Sequence, residues 1–341
     1  MERIGILTGG GDCPGLNPVI RAVVKSSLLE NWQVHGFRNG WKGLIDDEFV
    51  ILDDHSVSGI LPKGGTILGT SRTNPYKKSG ESDRLKSNFY KHNLKALVVV
   101  GGEDTLGVAY RLVQEGLPIV GIPKTIDNDL SATDYTFGFD TAVNIAMESI
   151  DRLHTTAESH NRVMVVEIMG RHAGWIALEA GLAGGADVIL IPEVAIDIDS
   201  VCEVIKRRHA RGKTFSIVAV AEGARLAEGE EVAETKLDEF GHVRLGGIGQ
   251  VIGALIEKKT GYETRVTVLG HIQRGGSPTA FDRVLGTRFG VRAVELVRDG
   301  KFGQMVSLRG REIVSVPISE AVKELKLVGR ELYDLAKIFF G

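Results

Sequence analysis

The sequence predicts an α/β fold of two lobes, each a mostly parallel sheet sandwiched by helices, with a cleft between them. Three observations carry that expectation. Short β-branched runs alternate with longer amphipathic stretches, the rhythm of right-handed βαβ units. Several of the short runs are apolar without interruption, as strands covered on both faces are. The 341 residues are enough for about two domains at roughly 100–200 residues each.

Taken in order, Arg3–Thr8 reads as a strand and Gly9–Gly11 as a glycine turn. Asn17–Glu30 follows as a helix, with Val19, Ile20, Val23, Val24 and Leu28 on one face. Ala96–Val100 is a continuous apolar strand, Leu106–Gln114 a helix and Ile119–Ile122 a strand. The rhythm then repeats, and the two blocks divide near residue 138. Thr141–Thr155 is a helix, Val163–Ile168 a strand, Ala173–Ala183 an alanine-rich helix and Val188–Ile191 a strand. Ser200–Arg211 reads as a helix, Ser216–Ala221 as a strand and Ile248–Lys259 as a helix. Arg265–Leu269 is a strand and Phe281–Arg298 the last long helix. Ala227–Gly241 is acidic and weakly periodic, and reads as a surface excursion.

Composition excludes several classes. Hydrophobic residues make up 43% and charged residues 25%, the balance of a soluble enzyme. A net charge of −3, from 41 basic and 44 acidic residues, leaves no overall footprint for nucleic acid or membrane. Two distant cysteines, Cys13 and Cys202, make no disulfide framework and fit a reducing cytoplasm. No apolar run approaches the length of a membrane span, and no secretory leader opens the chain. With 43 glycines, nine prolines and no low-complexity tract, many tight turns are expected in an ordered chain.

Three segments point to phosphate chemistry. Thr8–Asn17 joins the first strand to the first helix through four glycines, which let the backbone approach an anion at a helix N-terminus. It is neither a Walker A loop nor a clean GxGxxG, and no acidic residue closes a second strand for a ribose, which argues against a dinucleotide oxidoreductase. Gly101-Gly-Glu-Asp-Thr105 follows a buried strand, and Glu103 is a hard oxygen ligand suited to Mg2+. Pro123-Lys-Thr-Ile-Asp-Asn-Asp129 sits at the carboxyl end of a strand, where α/β proteins place their sites. One of its aspartates can take a hydroxyl proton while another organises metal or water. Asp104 repels a long polyphosphate tail, and Lys124 adds positive charge beside the aspartates. Together they favour a short inorganic donor over a nucleotide. Arg162, Met169-Gly-Arg171, Glu222-Gly223, Arg265 and Gly270–Ser277 line further strand ends with anion-binding groups. Trp32 and Trp175 read as packing residues, Trp41 as a residue bordering the donor site. His154, His160 and His172 lack metal-ligand spacing.

These segments, with Met169-Gly-Arg-His-Ala-Gly174, Ala221-Glu-Gly223 and Leu269-Gly-His-Ile-Gln-Arg-Gly-Gly-Ser277, resemble the 6-phosphofructokinase family over nearly the whole chain. The resemblance implies an enzyme of glycolysis and gluconeogenesis that phosphorylates the C1 hydroxyl of fructose 6-phosphate, with its active site in the cleft. It implies a donor lobe of residues 1–138 with about 273–323, and a sugar-phosphate lobe of residues 139–272 with about 324–341. By position, Asp127 is the proton acceptor, and Lys124, Asp104 and Arg171 serve donor choice and the transition state. Gly11, Arg72, Gly102 and Thr105 meet the donor, and Glu103 stands at the metal position. Thr125, Ile126, Asp127, Asp129, Met169, Gly170, Arg171, Glu222, His271 and Arg274 meet the sugar phosphate. Arg162 and Arg265 match residues lent to a neighbouring subunit, which implies a homodimer or homotetramer.

Donor choice follows from the departures. Members using ATP carry glycines where this chain has Asp104 and Lys124, whereas pyrophosphate-dependent members resemble it at both. Trp41 and Val108 are also bulkier than an adenosine pocket needs. The expected reaction is therefore pyrophosphate-dependent and reversible, with an ATP-dependent kinase of the same fold as the alternative. A non-catalytic phosphosugar sensor would lack the base or the metal carboxylate, and both are present. Arg21, Lys25, Arg211 and Lys213 follow the basic pattern of the family's effector pocket, but Asp54 and His154 do not, so control by a nucleotide or phosphoenolpyruvate is not expected.

Overall fold

The computed structural model describes residues 1–227 and 247–341. The acidic stretch read as a surface excursion lies outside them beyond Ala227. The chain divides into two compact units, one of residues 1–126, 130–141 and 274–325, the other of residues 127–129, 142–273 and 326–341.

The first unit is built on β1 (Arg3–Thr8), α1 (Leu16–Leu29), β2 (Gln33–Phe37), α2 (Trp41–Asp46), β3 (Phe49–Leu52), α3 (Glu81–Lys91), β4 (Leu94–Gly101), α4 (Glu103–Gln114) and β5 (Ile119–Pro123). The chain leaves it along α5 (Phe139–His160) and, after the second unit, returns with α9 (Ala280–Arg298), β10 (Gln304–Arg309), β11 (Glu312–Pro317) and α10 (Ile318–Ala321). The strands form one sheet in the order β11-β10-β5-β4-β1-β2-β3. Its centre is parallel, while β3 and β11 run antiparallel to their neighbours at the two edges. Ala96, Leu97, Val98, Val99 and Val100 of β4 are fully buried, which is why that strand reads as uninterrupted apolar sequence. Val19, Ile20, Val23 and Val24 of α1 are equally buried, but Leu28, assigned by spacing to the same face, is 38% exposed. Helices α1 and α9 meet closely because Gly286 and Gly290 lack side chains. A Cβ on Gly290 would sit 2.6 Å from that of Ala22.

The second unit carries β6 (Val163–Ile168), α6 (Trp175–Ala183), β7 (Val188–Leu190), α7 (Ile198–Ala210), β8 (Ser216–Ala221), α8 (Ile248–Thr260), β9 (Thr264–Val268) and α11 (Arg330–Lys337). Its four strands are all parallel, in the order β7-β8-β6-β9. Val163, Val165, Val218, Val220, Ile252 and Ile256 are among its core residues. Helix α7 starts on Asp197, whose carboxylate accepts from the backbone N–H groups of Asp199 and Ser200. Among the described residues, no helix is long and apolar enough to cross a membrane.

Several boundaries differ from those the sequence suggests. Helix α4 starts at Glu103, three residues before the expected Leu106, because Glu103 and Asp104 occupy its first turn, where carboxylates meet exposed N–H groups. Helix α5 begins at Phe139 and runs on to His160, and α6 begins at Trp175.

Asp282, in the first turn of α9, is fully buried and caps the start of α5. It accepts from the Thr141 N–H at 2.9 Å and the Thr141 hydroxyl at 2.5 Å. Burial pushes its carboxyl up from the ordinary 3.8 to about 6, against the pull of the two Thr141 bonds and with help from Asp140. The native state therefore holds a proton that the unfolded chain has released, so this contribution to stability is complete below about pH 4 and lost as pH rises through about 6. The stability of the parent chain relative to Asp282→Asn should fall by roughly 2–3 kcal/mol between pH 4 and 7 in denaturant unfolding. Parallel profiles for the two proteins would refute it.

Candidate active site

In the first unit, three parallel strands end side by side, and the loops leaving them converge. β1 pairs with β4 up to Thr8 and Val100, and β4 pairs with β5 up to Gly101 and Pro123. The glycine turn after β1 is tied on both sides. Gly9 N–H donates to the Val100 carbonyl at 2.9 Å, Gly10 N–H to the Ser71 carbonyl at 3.0 Å, and the Thr70 hydroxyl to the Gly10 carbonyl at 2.6 Å. Gly10 takes φ +80°, which favours glycine. Thr105 of α4 fills the space beneath. A Cβ at Gly9 would sit 2.8 Å from its side chain, and one at Gly101 2.3 Å from its Cβ.

Lys124 is only 4% exposed, and its ammonium donates to the Gly11 carbonyl. A buried ammonium is retained only where strong acceptors surround it. Arg274 approaches the same loop: its Nη1 donates to the Asp12 carbonyl at 3.2 Å and lies where a Cβ on Gly11 would come within 2.5 Å. Two cations thus hold consecutive carbonyls of the glycine loop. Cys13, next along the chain, is buried beside them. Burial pushes its thiol up to about 12, with Lys124 and Arg274 pulling the other way, so it has no nucleophilic character at neutral pH. Glu103 and Asp104 are exposed on the first turn of α4 behind the N-cap Gly102. Arg72, exposed, follows the Ser71 that anchors Gly10. Thr125 and Ile126 complete this unit's share of the β5 loop, with the Thr125 carbonyl accepting from the Thr136 hydroxyl at 2.7 Å.

In the second unit, β6, β8 and β9 end together in the same way. Glu222 N–H donates to the Ile168 carbonyl at 2.8 Å, and Gly223 N–H to the Gly170 carbonyl at 3.0 Å. Leu269 N–H donates to the Glu167 carbonyl at 3.0 Å, and Gln273 Oε1 accepts from Met169 N–H at 3.3 Å. Met169, Gly170, Arg171, Glu222 and the 3-10 turn Gly270–Arg274 bearing His271 are gathered by these bonds. Met169 is 8% exposed, Arg171 and Glu222 are half-buried and His271 is exposed. Asp127 and Asp129 also belong to this unit, both half-buried, flanking a buried Asn128. Arg162 and Arg265 stand at the start of β6 and in the edge strand β9. Both pair with the Glu263 carboxylate, Arg162 at 2.9 Å, and these bonds hold it below the usual carboxylate range, Arg162 most strongly.

Some residues lie elsewhere than the sequence suggests. Trp41, read as bordering the donor, is 2% exposed and sits in the same buried apolar cluster as Leu106 and Val108, so its bulk belongs to the core. Lys25 is paired with Asp54, and His154 Nε2 bonds the Gly184 carbonyl at 2.7 Å. Three contributors carry no signal in any motif. Glu193 takes the Gly174 N–H at 3.0 Å, Glu263 joins the two arginines, and Thr70 holds Gly10.

The chain matches the family described as Phosphofructokinase over residues 3–297. It is 59% identical to the pyrophosphate--fructose 6-phosphate 1-phosphotransferase of Streptomyces coelicolor, over 99% of this chain and 100% of that protein. It is 53% identical to the ATP-dependent 6-phosphofructokinase of Mycobacterium tuberculosis, over 99% of this chain and 100% of that one. The fold matches a crystal structure of pyrophosphate-dependent phosphofructokinase from Nitrosospira multiformis with a TM-score of 0.85 at 21% identity, covering 100% of this chain and 91% of that one.

Gly223 admits no side chain, since a Cβ would lie 1.9 Å from the Arg171 carbonyl. Gly223→Ala should lower the melting temperature by about 4 °C or more, from roughly 2 kcal/mol of overpacking. A calorimetric midpoint unchanged within a degree would count against this account of the loop.

Proposed function

The chain belongs to the phosphofructokinase family, and from that premise we propose that it transfers a phosphoryl group from pyrophosphate to the C1 hydroxyl of fructose 6-phosphate, reversibly. The observation that carries the donor assignment is the buried ammonium of Lys124 on the Gly11 carbonyl, inside the glycine loop. It is supported by the name and identity of the Streptomyces relative.

In the forward direction Asp127 accepts the proton of the C1 hydroxyl. The sugar oxygen then attacks the near phosphorus of pyrophosphate, the bridging P–O bond breaks, and orthophosphate leaves with that bond's electron pair. Lys124 and Arg171 offset the charge that builds on the transferring phosphoryl oxygens. The glycine loop presents backbone rather than side chains, so Gly11, Gly102 and Thr105 admit the donor closely, with Arg72 beside them. Met169, Gly170, Arg171, Glu222, Thr125, Ile126, Asp127 and Asp129 orient the sugar. His271 and Arg274 meet its phosphate. Arg162 and Arg265 act in the site of a second copy, in a homodimer or homotetramer.

Asp104 repels the α-phosphate of a nucleotide. Asp104 is exposed, so at about 4 Å the two like charges cost about 1–4 kcal/mol, between the bulk-water and near-surface values. The small inorganic donor has no third phosphate to place there. The ATP-dependent reading rests on relatives such as the mycobacterial enzyme, at lower identity.

Mg2+ is the expected metal. Among the described residues, no group of three or more His, Cys, Asp or Glu is placed to hold a metal on its own. Glu103, exposed on the first turn of α4, would hold the ion together with oxygens of the donor itself. When bound, it screens charge on those phosphate oxygens. Membership of this family suits an enzyme of the cytoplasm.

A coupled assay with each donor tests the reading. Turnover with pyrophosphate and none with ATP is expected, and turnover with ATP alone overturns it. Asp104→Gly combined with Lys124→Gly should lower pyrophosphate turnover by roughly a hundredfold and admit slow ATP use. Full pyrophosphate turnover in that double variant would end the electrostatic account of donor choice.

A further inference from the structure

The turn Asp127-Asn128-Asp129 lies outside every helix and strand. Its middle residue holds φ +52°, a left-handed conformation that a non-glycine residue keeps only when its surroundings fix it. Asn128 is 2% exposed, so its amide cannot turn to water. The groups that fix this turn come from far along the chain, in the same unit. Lys326 N–H donates to the Asp129 carbonyl at 2.8 Å, and Lys326 Nζ donates to Asn128 Oδ1 at 2.9 Å.

Lys326 is itself held. Its carbonyl accepts the indole N–H of Trp175 at 2.8 Å, and its ammonium lies 5.5 Å from the centre of that ring. Two residues on, Val328 N–H donates to Glu193 Oε1 at 2.9 Å, and the same carboxylate takes the Gly174 N–H at the start of α6. One strap, residues 326–328, therefore joins the carboxylate turn to the end of the Met169–Gly174 loop. A lysine serving only as a tether needs one bond. This one grips both the backbone and the side chain of the turn, and its own carbonyl is pinned.

We infer that Lys326 is a positioning residue for the reaction: it sets the backbone of Asp127–Asp129 and so the direction in which the Asp127 carboxylate meets the hydroxyl it deprotonates. This rests on the reading of Asp127 as the base. A misplacement of about 1 Å at a reacting group can cost on the order of a hundredfold in rate.

The test is steady-state kinetics of the full chain carrying Lys326→Met. A fall in kcat of at least about tenfold is expected, with KM for fructose 6-phosphate and for pyrophosphate within about threefold of the parent. Lys326→Arg, which keeps a cation and the backbone bond, should recover part of kcat. A parent-like kcat in Lys326→Met overturns the inference. So does a raised KM for the sugar phosphate with kcat intact, which would make Lys326 a ligand of the substrate. If Lys326→Met does not fold, Trp175→Phe decides, since it removes the N–H that pins the Lys326 carbonyl and keeps an aromatic ring there. A kcat lowered by about threefold or more at parent KM supports the inference, and an unchanged kcat refutes it. Should the parent use ATP instead of pyrophosphate, the same comparison is made with ATP, so the donor reading and this inference fail separately.

Discussion

The bond from the Lys124 ammonium to the Gly11 carbonyl is the constraint on which the first unit's site depends. A lysine this buried is stable only if its charge finds oxygen acceptors, and the loop after β1 supplies one. That requirement fixes where the end of β5 stands against the end of β1. Loss of the ammonium would take that donor from the Gly11 carbonyl, while the Gly9 and Gly10 N–H groups would keep their bonds to Val100 and Ser71. The parallel pairing of β1, β4 and β5 brings the three loops to one edge, but pairing alone does not orient their peptides. The backbone bonds of Gly9 and Gly10 hold the loop's start, and the cations hold its next two carbonyls, Lys124 on Gly11 and Arg274 on Asp12.

The second unit meets the same problem largely with backbone groups, to which the Glu193 carboxylate and the Lys326 ammonium add. Its strand ends are laced by backbone bonds, from Glu222 to Ile168, Gly223 to Gly170 and Leu269 to Glu167. Gly223 is compulsory there because two carbonyls, those of Arg171 and Gly170, lie within 3 Å of where its side chain would begin. The result is a rigid frame that presents Arg171 and Glu222 half-buried, so that each keeps its charge near water while its backbone is fixed.

The sequence made the alternating elements legible because parallel strands buried on both faces leave unbroken apolar runs, as in β4 and β6. Elements without that signature escaped. Helix α3 buries only Leu85 and Phe89, too few to mark a period, and α2 is six residues long with a glycine inside it. The hairpin β10–β11 turns on two residues, Gly310 and Arg311, but its outer strand is partly exposed and a serine interrupts the apolar run of each strand. Site loops were legible where their chemistry is local: glycines, carboxylates and a lysine within seven residues. The supports Glu193, Glu263 and Lys326 were not, because each acts on residues far from it in sequence, and a single charged residue in a loop looks like any solvated one. Trp41 misled for the opposite reason, since a tryptophan after a glycine looks exposed and here closes the core.

The arrangement around Glu263 has a consequence for how anions are met at the edge of the smaller sheet. Arg162 and Arg265 repel one another, and the carboxylate between them already offsets that repulsion. On the proposed reading, an oxyanion that binds these arginines competes with an internal carboxylate instead of meeting bare positive charge. Two arginines with one carboxylate carry one net positive charge instead of two, so their pull on a distant anion is weakened accordingly.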